Sequence, residues 1–106
     1  MAKYLYIGSY TADGAKGALK DGGSARREAA RHTVESVGGR LESYYFAFGT
    51  DDFLVTFEAP SAAAAAALAL TVGGSGAVSG RTIPLIMPEE LDAASKIAAD
   101  YSPPGG

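Results

Sequence analysis

From Lys3 to Tyr10 the side chains alternate, with Tyr4, Tyr6, Gly8 and Tyr10 set against Leu5, Ile7 and Ser9. A two-residue period rich in aromatics predicts a strand, because successive side chains of an extended backbone point to opposite sides. Thr11 is placed to cap a first helix over 12–20, in which Gly14 and Gly17 each cost roughly 1 kcal/mol against Ala. Asp21-Gly22-Gly23 interrupts it. Ser24 is the expected cap of a second helix over 25–37. Its apolar arc holds Ala30, Thr33, Val34 and Val37, with Arg27, Glu28, Arg31, His32 and Glu35 opposite, and Gly38-Gly39 ends it.

A second strand follows over 40–48, and Gly49-Thr50-Asp51-Asp52 turns the chain into a third over 53–59. There Phe53, Val55 and Phe57 alternate with Leu54, Thr56 and Glu58. Two strong strands with a short connection predict a hairpin. Pro60-Ser61 opens an alanine-rich helix over 62–72, whose lack of charge predicts burial on more than one side, under the terminal helix or in a subunit contact. A β-branched run over 77–87 makes the fourth strand. Pro88-Glu89-Glu90 starts a last helix reaching to about Asp100, with proline in the first turn and acids at the positive end of the dipole.

The order is β-α-β-β-α-β plus a terminal helix. This predicts an α+β, ferredoxin-like sheet with both crossovers on one face. A single domain over 1–100 is expected, followed by a flexible Pro/Gly tail over 101–106. If Leu5 and Ile7 join Phe53, Val55 and Phe57 under the helices, then Tyr4, Tyr6, Leu54 and Thr56 face away. A monomer would then show water a broad aromatic patch. A second copy covers it most economically, so the expectation is a homodimer with two sheets face to face.

Composition narrows the chemistry. The 106 residues include no Cys, Trp, Asn or Gln and one His, which removes disulfides, thiolate metal sites and cysteine nucleophiles. A net charge of -3 argues against nucleic acid or an anionic membrane surface as partner. The start of the chain has no long apolar region of a signal peptide. The uncharged stretch 59–80 is broken by Pro60 and Gly73-Gly74-Ser75-Gly76, so a cytoplasmic protein outside the membrane is expected.

Lys3-Tyr4-Leu5, Gly23-Ser24-Ala25-Arg26-Arg27-Glu28-Ala29, Val37-Gly38-Gly39-Arg40-Leu41-Glu42, Phe48-Gly49-Thr50-Asp51-Asp52 and Ser75-Gly76-Ala77-Val78 together resemble the GYD-domain family. So does the Tyr-x-Pro-Pro-Gly end at Tyr101 to Gly105. The resemblance implies a bacterial protein of ferredoxin-like fold and dimeric α/β-barrel habit, and implies no reaction. Asp51 stands where the family's Gly-x-Tyr-Asp motif has tyrosine.

Arg26 is the most informative polar residue. It lies in the apolar arc and in the first turn of its helix, where a cation opposes the dipole. With the free N–H groups of Gly23 to Ala25 it would form an anion pocket; otherwise it snorkels or pairs with an acid such as Asp52 or Glu58. The run Gly17 to Ser24 lacks the lysine of a phosphate loop and follows no strand directly. His32 falls on the polar side, one turn after Glu28. Tyr4, Tyr6, Tyr10, Tyr44 and Tyr45 read first as core or interface and second as cavity lining, with Tyr10 best placed to reach a cleft.

The expected function is a small homo-oligomeric module binding a small anionic or polar organic ligand through Tyr10, Gly23, Ser24 and Arg26. No metal or cofactor is expected. One alternative is a cofactor-independent isomerase- or oxygenase-type enzyme with Tyr10 as acid, Arg26 as anion clamp and Asp52 as base. The other is a structural subunit of a larger assembly.

Overall fold

Thr11 is the hinge between the first strand and the first helix. Its hydroxyl accepts the Gly14 N–H at 3.2 Å, while its own N–H and hydroxyl donate to the Ala77 and Gly76 carbonyls, each at 3.0 Å. Gly14 is buried because the helix meets the backbone of Ala77 there, and a β-carbon would collide with that carbonyl. The glycine that weakens the helix locally is what lets it dock.

The computed structural model describes all 106 residues. Four strands, β1 (Ala2–Tyr10), β2 (Arg40–Phe46), β3 (Phe53–Ala59) and β4 (Val78–Leu85), and four helices, α1 (Ala12–Asp21), α2 (Gly23–Ser36), α3 (Ala62–Gly74) and α4 (Pro88–Ser95), follow in the order β1-α1-α2-β2-β3-α3-β4-α4. They form an open antiparallel sheet in the order β2-β3-β1-β4, the ferredoxin-like arrangement. The first crossover is split by Gly22, whose φ of 88° only glycine adopts freely. Gly22 rather than Ser24 caps α2: the Arg26 N–H donates to the Gly22 carbonyl at 3.1 Å, and no side chain caps this end. Ser61 caps α3 as its position predicts, accepting the Ala64 N–H at 3.1 Å.

Register corrects one expectation. Tyr4 lies opposite Phe57, Tyr6 opposite Val55 and Gly8 opposite Phe53. Cross-strand neighbours share a face, so the even-numbered tyrosines of β1 lie with Phe53, Val55 and Phe57 under the helices. Leu5 and Ile7 instead lie with Leu54 and Thr56 on the open face. Both halves of β1 are apolar, and the pattern alone could not choose between them.

A bulge at Glu42 completes the arrangement. On β2, Leu41 pairs with Phe57 and Tyr44 with Val55, although they are three residues apart and a regular strand would send them to opposite faces. The extra residue points Leu41, Tyr44 and Phe46 inward, and Arg40, Ser43 and Tyr45 outward. The buried core is Tyr4, Val34, Leu41, Phe53, Val55, Phe57, Ala59, Ala65 and Leu68, between the sheet, α2 and α3.

Two other expectations change. The alanine helix buries only Ala65 and Leu68, on one side, and Leu70 stands exposed, so α3 is not sandwiched within the chain. The last helix ends at Ser95, and every residue from Ile86 to Gly106 is exposed. The radius of gyration is 16.7 Å, against roughly 13 Å for a compact domain of this length. No helix is long and apolar enough to cross a membrane.

Candidate functional site

The aromatic face of the sheet and the two helices above it do not close completely. Between them lies a cavity of about 110 Å³. Its floor is Tyr6, Tyr10, Tyr44 and Phe53; α2 contributes Arg26, Ala30 and Val34; α3 contributes Leu68, Ala69 and Val72. Small residues at Ala30 and Ala69 leave the space that larger ones would fill.

Phe53 positions the floor. Its ring covers Gly8, where a β-carbon would collide with it. Around it, the ring centroids of Tyr10, Tyr44 and Tyr6 stand at 5.1, 5.8 and 5.9 Å. The Tyr10 and Tyr44 hydroxyls lie 3.4 Å apart, a long hydrogen bond. Burial, then the contact with Tyr10, pushes the Tyr44 phenol far above its ordinary range, and nearby Arg26 opposes that rise. Burial also raises the Tyr6 phenol. At neutral pH both are uncharged and able to donate. The Tyr6 hydroxyl occupies the space a Gly80 side chain would need.

Arg26 is the only charged residue on the cavity wall. Its side chain is about one-third exposed, and its partner is Asp21, at 3.7 Å, rather than Asp52 or Glu58. Glu58 is held by Arg40 at 2.6 Å, which lowers its carboxyl and raises Arg40. A half-solvated pair at that distance is weak and leaves most guanidinium donors unused.

The other sequence-selected residues separate from this centre. Asp52 is a structural clasp: its carboxylate accepts the Tyr10 backbone N–H at 2.7 Å, its own N–H donates to the Gly8 carbonyl at 2.9 Å, and its carbonyl accepts the Ala47 N–H at 2.8 Å. It lines a second, more open groove of about 470 Å³ with Gly23, Leu19, Phe46 and Tyr10. Ser24 is exposed and lines neither space. His32 is exposed, and Glu28 pairs with Arg27 and Arg31 instead. No three His, Asp or Glu side chains converge to hold a metal. The structure therefore brings Arg26 and Tyr10 together, adds Tyr44 and Tyr6, and sets Gly23 and Asp52 outside. The alternation that put Tyr6 in line with Tyr10 was readable in the sequence; the bulge that turns Tyr44 inward was not.

An open antiparallel sheet carrying both crossovers on one face, with a cavity bearing one cation on its wall beneath them, defines a ferredoxin-like α+β protein with an internal pocket. The chain belongs to the GYD domain family, whose model matches residues 4–95, from β1 to the end of α4. Neither a curated protein nor a solved structure matches it.

Proposed function

We propose that the protein is a homodimeric binding module whose cavity between helices and sheet takes a small anionic or polar organic ligand. One observation carries the reading: a lone, weakly paired guanidinium, Arg26, sits on the wall of a mainly apolar cavity, beside the hydroxyls of Tyr10 and Tyr44. Partly buried donors converging on a cleft are what an anion needs and what a packed core avoids. An enzymatic role for Asp52 has less support, because its carboxylate is engaged by the Tyr10 backbone.

Dimerisation rests on surface that the chain leaves uncovered. It exposes 7154 Å², whereas a folded monomer of 10.8 kDa exposes roughly 5,500 Å². The excess exceeds the roughly 800 Å² that each partner contributes to a standard interface. It includes Ile86, Met87, Leu91 and Ile97 on the C-terminal arm, as well as Tyr45 on the open face. A second copy supplies an apolar surface for both.

The test is a set of thermal melts of wild type and Arg26→Leu with a panel of small carboxylates and phosphates. Wild type should be stabilised by at least one anion. The variant should fold with a loss of less than about 1 kcal/mol and lose that response, because its ion pair is half-solvated. A wild type indifferent to every anion, beside a strongly destabilised variant, would make Arg26 purely structural and end the reading.

A further inference from the structure

Resting on that reading of the cavity, we infer that its ligand is an apolar monocarboxylate, aromatic or branched, with its body inside and its carboxylate at Arg26 and the Tyr10–Tyr44 hydroxyl pair.

The wall fixes the character of the body. Apart from Arg26, the tyrosines and the two threonines Thr33 and Thr82, the lining is apolar, with Val34, Val55, Phe57, Leu68, Val72 and Val78 among it. A sugar or polyol would bury several hydroxyls against these side chains without partners, which disfavours it. Thr33, the other polar residue that α2 adds to the wall, already donates its hydroxyl hydrogen to the Ala29 carbonyl at 3.0 Å.

Volume fixes the size. A dry apolar cavity of roughly 150 Å³ accommodates benzene. A cavity of about 110 Å³ suits one ring held tightly or a branched chain of about four to six carbons.

Arg26 and Asp21 fix the charge. Arg26 brings one positive charge, and no second cation lines the cavity. The Asp21 carboxylate at 3.7 Å from the guanidinium opposes a dianion. A phosphate dianion would be under-neutralised, and the second carboxylate of a dicarboxylic acid would lie among valines and leucines. A single carboxylate matches the guanidinium fork and can accept from the two tyrosine hydroxyls. A neutral isostere leaves Arg26 facing an uncharged group and loses the charge-assisted bond.

Titration calorimetry on the full 106-residue chain, with benzoate, isovalerate, benzyl alcohol, acetate, succinate and inorganic phosphate as probes, tests this. Benzoate and isovalerate should bind at least tenfold more tightly than acetate, succinate or phosphate, and benzoate at least tenfold more tightly than benzyl alcohol. Arg26→Leu should abolish the preference for benzoate over benzyl alcohol. Ala69→Leu, which fills the body of the cavity, should remove benzoate binding; Ala30→Val is the milder second variant. In wild type, benzoate should shift the Leu68 and Val72 methyl resonances, a readout independent of any variant. Succinate or phosphate binding with benzoate inert overturns the inference and leaves the anion-binding module standing. Benzyl alcohol binding as well as benzoate overturns the carboxylate assignment. Benzoate binding that leaves those methyl resonances unmoved places it elsewhere and overturns the inference. Absence of binding by every probe removes both readings.

Discussion

On one side of the sheet Tyr4, Tyr6, Phe53 and Phe57 lie under two helices. On the other, Leu5, Ile7, Leu54 and Tyr45 have no layer of this chain above them. The strands and the two-residue period are the same; the surroundings differ. The covered face is joined by rings: Tyr4 stacks on Phe57 with centroids 5.5 Å apart, and Phe53 gathers three tyrosines. The open face is edged by charge, with Lys3 bonded to Glu42 at 2.7 Å and Arg40 to Glu58 at 2.6 Å. An apolar centre with a polar rim is the anatomy of an interface, whereas an apolar layer broken by one cation and a few phenols is that of a binding pocket.

The largest effect is expected where the covered face is most connected. Phe53→Ala removes the ring that covers Gly8 and positions the cavity floor. It should cost roughly 3–5 kcal/mol in urea unfolding, with anion response lost alongside. A loss below about 1 kcal/mol would mean that Phe53 does not organise that face.

Gly8→Ala probes the same contact from below. The added methyl must displace the Phe53 ring, and a destabilisation of about 1–3 kcal/mol is expected. An unchanged melt would show that the ring has room to move.

The open face should respond differently. Ile7→Glu places a charge at its centre without touching the core. Light scattering should report wild-type dimers and variant monomers, with the fold retained by circular dichroism. A wild type that stays monomeric at micromolar concentration defeats the dimer, and an unfolded variant would show that this face belongs to the chain's own core.

The smallest effect at neutral pH is expected of Tyr44→Phe. The bond it removes is long, so the cost should be within about 1 kcal/mol. High pH sharpens the contrast. The Tyr44 phenol is raised in the fold, so the native state holds its proton more tightly than the unfolded chain does. The stabilisation this gives is fully present below the unfolded pKa of about 10 and is lost as pH climbs beyond it. Wild-type stability should therefore fall more steeply above about pH 10 than that of the variant. Parallel profiles would show that Tyr44 is not held neutral.

Much of the architecture was legible in the chain. Thr11 and Ser61 cap the helices their positions predict, Gly38 follows α2, and the Phe53–Ala59 alternation is realised with one side buried. Arg26 stood out as a cation in an apolar arc, and it is the cation on the cavity wall. Gly23 and Ser24 are expected beside it through the free N–H groups of the helix's first turn, but neither lines the cavity, and Ala30 and Val34, one and two turns on, share the wall with Arg26 instead.

Caps, breaks and strand periods depend on dihedral preferences and hydrogen bonds within about four residues, so sequence by itself determined the elements and their order. Which half of β1 lies under the helices depended on Tyr4 meeting Phe57, more than fifty positions away. The Tyr10–Tyr44 pair depended on the bulge at Glu42, and the cavity on how far α2 and α3 stand apart over Ala30 and Ala69. These are properties of long-range pairing and packed volume, in which two equally apolar faces compete and local preference is nearly neutral, so only the tertiary structure decided them.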